Sequence, residues 1–98
     1  MANSNYIAGR KLEYDTIKKW KEKGYLTSRT AGSHGAYDVV AFRPDRKPEF
    51  IQCKRVSTVA AAQRLVANFR KNTIPSAFYH QSIEVKVKGL RATYSTFV

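Results

Sequence analysis

The sequence predicts an α/β fold, a mixed β-sheet flanked by helices in the order αβββαβ. Three observations predict it: two segments with apolar residues at helical spacing, three short strand-like stretches between them, and an alternating apolar stretch after the second. The chain has 98 residues, 43% of them hydrophobic, enough for one domain with a modest core, and residues 1–98 are read as that domain.

The first helix is predicted over residues 7–23. Gly9, Leu12, Glu13, Thr16, Ile17 and Trp20 recur at helical spacing on one face, and Gly24 stops the helix. Strands follow at 25–30, 37–42 and 49–56. A Ser/Gly loop at 31–35 separates the first two. Pro44, Asp45 and Pro48 mark 43–48 as the turn of an antiparallel hairpin between the second and third. Ser57 or Thr58 can cap a second helix with the stripe Val59, Ala62, Leu65, Val66 and Phe69, which ends near Asn72 because Pro75 follows. Ile83, Val85 and Val87 alternate with Glu84, Lys86 and Lys88, the pattern of a half-exposed strand with Glu84 outward. Gly89 turns the chain into a last strand within 90–97.

Charge narrows the partner. There are 18 Lys+Arg against 7 Asp+Glu, a formal net charge of +11. A surface that positive repels itself and suits a polyanion, so nucleic acid is the expected partner. No apolar run approaches the ~18 residues of a membrane span. No helix pairs a basic face with a long apolar one, so a membrane partner is not expected. Residues 1–6 lack the apolar centre of a secretory signal. The single cysteine, Cys53, excludes an internal disulfide, and two histidines, His34 and His80, are too few for a zinc site. These features point to an intracellular protein.

With seven acids in the chain, each can be weighed. Asp45 and Glu22 belong to a turn and a helix end among cations. Asp15 lies on the basic side of its helix, and Glu49 opens a strand where exposure is expected. Asp38 differs. It begins the apolar run Asp38-Val39-Val40-Ala41-Phe42 directly after a glycine-containing loop, so its carboxylate sits at a strand mouth; a turn or capping aspartate is the alternative. Gln52 and Lys54 stand two apart on the next strand and share a face, while Ile51 and Cys53 point to the other. Glu13 lies on the buried face of the first helix, where a carboxylate needs a cation: a metal, or a nearby Lys or Arg.

The set Glu13, Asp38 and Gln52-Cys53-Lys54 resembles the PD-(D/E)XK nuclease superfamily. The helix Gly9-Arg10-Lys11-Leu12-Glu13, closing at Glu22-Lys23-Gly24-Tyr25, is similar to that of archaeal Holliday-junction resolvases, as is the Ser/Gly loop before the Asp strand. The string Ile51-Gln52-Cys53-Lys54-Arg55 is similar to Mrr-type restriction endonucleases, where Gln commonly replaces the motif acid. Here Gln52 stands in place of that acid, and Tyr37 in place of the proline before the motif Asp.

The resemblance implies a restriction-endonuclease-like core and a Mg²⁺-dependent (or Mn²⁺-dependent) endonuclease acting on DNA. It implies that Asp38 anchors the cation, with the Gln52 side-chain oxygen and the Cys53 carbonyl as further ligands. Glu13 would hold a metal-bound water or a second cation, and Lys54 would position the attacking water or stabilise charge on the phosphate. Arg10, Lys11, Arg29, Ser33, His34 and Arg55 would contact DNA phosphates. It further implies a homodimer selective for four-way junctions. A general or restriction-type duplex nuclease, or an inactive DNA-binding protein of this fold, is the alternative.

Overall fold

The computed structural model describes residues 4–30 and 37–98, with side chains from Arg10 onward in the first helix. In chain order the elements are α1 (Ser4–Glu22), β1 (Leu26–Arg29), β2 (Val39–Arg43), β3 (Arg46–Val56), α2 (Val59–Asn72), β4 (His80–Val87) and β5 (Thr93–Phe97). The five strands form one sheet in the order β1-β2-β3-β4-β5, with β3 and β4 parallel and the other neighbours antiparallel. The mixed α/β sandwich predicted from the apolar periodicities is the fold observed. Among the described residues, no helix is long and apolar enough to cross a membrane.

Alternation divides the sheet into two faces. Val39, Ala41 and Ile51 join Trp20 and Tyr25 in a core under α1, with Ile17 and Cys53 against it. The Trp20 and Tyr25 rings meet edge to face at 4.9 Å. On the other face Ile83, Val85 and Val87 pack with Ala62 under α2, joined by Val56, Leu65, Val66, Phe69 and Tyr94. Full burial of Ile51 or Ile83 contributes about 1.5–3 kcal/mol relative to exposure. Thr58 caps α2, its hydroxyl accepting from the Ala61 N–H at 3.1 Å. Gly24, at φ +91°, ends α1 in a left-handed conformation that costs other residues energy.

Several expectations are corrected. The hairpin turn shrinks to Pro44 and Asp45, because Arg43 and Arg46 already pair. Pro48 lies inside β3 at no cost: Glu49 is the first residue facing β4, so the missing Pro48 N–H has no partner to lose. Glu84 faces inward, 6% exposed, since α1 covers its side of β4 while α2 covers the other. Its carboxylate accepts from the Thr16 hydroxyl at 2.9 Å and pairs with the Lys19 ammonium. Glu49 is buried as well, and burial pushes its carboxyl pKa upward against the charges of His80 and Lys23. The last strand is confined to Thr93–Phe97.

Candidate active site

The edge of β3 creates the site. Val39 pairs with Ile51 at the start of β2, so residues 52–56 of β3 run past β2 while still paired to β4. Beyond Ile51, no described strand covers the β2-side edge of β3. The sheet therefore has a notch, where groups from both faces can meet.

Asp38 sits at the mouth of this notch and is held by three hydrogen bonds. Its N–H donates to the Ile51 carbonyl at 2.9 Å, and its carbonyl accepts from the Thr30 N–H at 3.0 Å. Its Oδ2 accepts from the Cys53 N–H at 2.8 Å. The Thr30 hydroxyl also donates to the Tyr37 carbonyl at 2.6 Å, tying the residue after β1 to the one before Asp38. In an extended strand the N–H and C=O of one residue face the same neighbour. The Cys53 N–H points at Asp38, so the Cys53 carbonyl also faces the notch.

Glu13 approaches from the α1 side, half-buried, with Arg29 Nε 3.7 Å from its Oε2. Burial raises the Glu13 pKa; the Asp38 charge raises it further, and Arg29 and Arg10 oppose the shift. Thus two carboxylates share one partly desolvated region, and the ion pair expected as the alternative partner for Glu13 is present with Arg29. Gln52 and Lys54 lie on the opposite face of β3, in line with Ile83 and Val85. One further step of the β2–β3 register puts Asp38 opposite Gln52. Lys54 is exposed and Gln52 half-buried. Among the described residues, no side-chain hydrogen bond or ion pair engages either of them.

The Cys53 side chain turns the other way, toward Thr16, with Sγ 3.6 Å from the hydroxyl. Burial is the main cause that pushes its thiol up to about 12, so it stays protonated and offers no thiolate. Arg10 and Lys11 lie on α1 and Arg55 on β3, one step past Cys53 on the α1 face. Ser33 and His34 lie outside the described residues. Among the described residues, no three His, Cys, Asp or Glu side chains gather as a metal site. Any cation here would depend on two carboxylates supplemented by amide and carbonyl oxygens.

Tyr14 was not singled out in the sequence. Arg29 donates to its hydroxyl at 3.3 Å, and the guanidinium carbons of Arg29 and Arg10 lie 5.3 and 5.8 Å from its ring centre. Hydrogen bonding, first with Arg10 and then with Arg29, lowers the Tyr14 pKa. Tyr14 thus braces two cations beside Glu13. The signal was the i,i+4 spacing of Arg10 and Tyr14 on one helix.

No family model and no curated protein matches the chain. A solved structure does: Hjc, a Holliday junction resolvase from the archaeal hyperthermophile Archaeoglobus fulgidus, with a TM-score of 0.56 and 21% identity over 92% of this chain and 70% of that one. The fold is restriction-endonuclease-like. At this identity the likeness concerns the course of the backbone, and individual side chains must be judged by their own surroundings.

Proposed function

We propose that this protein is a metal-dependent DNA endonuclease selective for branched DNA, acting on four-way junctions as a homodimer. The observation that carries the reading is the notch beside β3, where the Asp38 and Glu13 carboxylates influence each other, with the exposed Lys54 farther along the same strand. The shared fold with Hjc and the net charge of +11 support it.

The donor set suits a hard divalent cation. All its members are oxygens: the carboxylates of Asp38 and Glu13, the Gln52 amide and the Cys53 carbonyl. The mutual repulsion of the two carboxylates is the kind of cost a divalent cation relieves. Such a cation, Mg²⁺ or Mn²⁺, supplies charge neutralisation at phosphorus and acidifies water. The chain's own groups do the rest. Asp38 is a rigid anionic anchor because its N–H, carbonyl and one carboxylate oxygen are already bound. Lys54 supplies positive charge to the scissile phosphate from the face it shares with Gln52. Arg10 and Arg29, braced on Tyr14, hold a neighbouring phosphate.

The test is cleavage of a four-way junction and of a matched linear duplex by the wild type and Asp38→Asn, with and without Mg²⁺. We expect divalent-dependent cutting, reduced at least about a hundredfold in Asp38→Asn at equal DNA occupancy, as for loss of one central electrostatic group. Undiminished cutting by a folded Asp38→Asn variant would overturn the assignment.

A further inference from the structure

On the flank of α1 away from Glu13, a groove runs between the helix and strands β3, β4 and β5. It holds two adjoining hollows. One, about 70 Å³, is lined by Lys11, Leu12, Asp15, Arg55 and Lys86. The other, about 180 Å³, is lined by Leu12, Asp15, Thr16, Lys19, Glu84, Lys86, Arg91 and Thr93. The sheet register explains the lining. Arg55 pairs with Lys86 and Lys86 with Thr93, so the three form one row across the sheet on the α1 face. Opposite them, Lys11, Asp15 and Lys19 follow at four-residue spacing along α1, spanning about 12 Å at ~1.5 Å per residue.

The charge of the groove is one-sided. Lys19 is paired with the buried Glu84, which sets that pair aside. What remains is Lys11, Arg55, Lys86 and Arg91 against Asp15. We propose that this groove is a second DNA-backbone track, in which Lys86 and Arg91 hold phosphates of the substrate outside the catalytic notch. The proposal rests on the nuclease reading for its substrate. An open, elongated groove with cations along both walls suits a phosphodiester chain better than a single enclosed phosphate.

Asp15 gives the track its spacing. It lines both hollows. A carboxylate there repels a phosphate at the midpoint and favours one on either side, the first among Lys11, Arg55 and Lys86, the second between Lys86 and Arg91. A length of about 12 Å accommodates on the order of three to four phosphates of one strand at ~3.4 Å of helix axis each.

The test is equilibrium binding of a labelled four-way junction and a linear duplex across a salt series, without divalent cation. Lys86→Gln/Arg91→Gln is compared with Arg70→Gln/Lys71→Gln, which removes the same charge from the last turn of α2. The groove pair should weaken binding on the order of tenfold to a hundredfold near 0.1 M salt and reduce the salt slope by about two. The α2 pair should change affinity by less than about threefold, as expected for charges that touch no phosphate. Asp15→Asn, at an exposed helix position, should tighten binding. Equal losses for the two pairs, no gain in Asp15→Asn, or no DNA binding by the wild type overturns the track. Cleavage by the wild type with Mg²⁺ is scored separately. A groove effect without any cutting removes the nuclease reading and keeps the track, whereas cutting without a groove effect does the reverse.

Discussion

On the proposed reading Glu13 must ionise to help hold a cation, and its surroundings resist this. Burial raises its pKa, Asp38 adds to the shift, and Arg29 and Arg10 only partly offset it. The sign follows directly. A carboxyl with a raised folded pKa favours the protonated form, so the stability it contributes is present at low pH and lost as pH rises through the folded pKa. A bound divalent cation reverses that preference, and its hold should strengthen over the same interval. At sub-saturating Mg²⁺ the acid limb of kcat/KM should therefore lie above 4.5, the ordinary value for this carboxyl, and move to lower pH as Mg²⁺ is raised. Glu13→Gln should lower the rate and remove that limb; a limb left in place by this variant would assign it elsewhere. Much of this environment was legible in the sequence, since Glu13 falls on the buried stripe of its helix and Asp38 at a strand mouth. Tyr14 was not, because its task depends on Arg29, which lies 15 residues away and reaches it only through the β1–α1 packing.

The elements explain why two carboxylates were expected outside and found inside. Alternation along Ile83-Glu84-Val85 reports that neighbours face opposite ways, but not that helices cover both sides. Here α2 takes the valine side of β4 and α1 the Glu84 side, so Glu84 is tied to Thr16 and Lys19. Nothing local to β4 reveals this, because the partners lie 65 and 68 residues away. Pro48 misled for a related reason: it looks like a turn residue unless the start of β4 is known. The Lys19–Glu84 pair leads to a stability prediction. Lys19→Met would leave the buried Glu84 with only the Thr16 hydroxyl. The loss should be about 1–3 kcal/mol, less than the ~3–5 kcal/mol for breaking a fully buried pair. The discount reflects the Lys19 side chain, which is 45% exposed. Urea unfolding at pH 7 measures it, and Lys19→Met/Glu84→Gln should recover most of the loss. An unchanged midpoint in Lys19→Met would show that the pair contributes nothing.

At the scale of the whole molecule, size and charge bear on the substrate. The described residues extend 36 × 32 × 26 Å, about one turn of duplex along the longest axis. On the proposed reading, one copy would meet a single arm of a junction, and paired nicks across a branch point would require two copies at a fixed angle. Apolar side chains that a second copy could bury include Ile74 and Phe78, 84% and 83% exposed, and Phe97 at 59%. Tyr79 and Tyr94 are half-buried, with Tyr79 packed on Phe50 at 4.7 Å, so they offer less to a second copy than Phe78 and Phe97. On the proposed reading, a net charge of +11 gives strong attraction to any DNA, while selectivity comes from the angle between two basic faces. Linear duplex would engage one face and a junction both. Junction and duplex should each bind more weakly as salt rises, because counterion release drives both, and the junction should show the steeper slope because it makes more phosphate contacts. Its preference should still be evident at salt concentrations where duplex binding has failed, and the cuts should come as symmetric pairs. Competition binding over a salt series, with sedimentation to count copies, tests this directly. A monomer at the concentrations of the assay, or equal affinity for both DNAs throughout, would favour a general duplex nuclease.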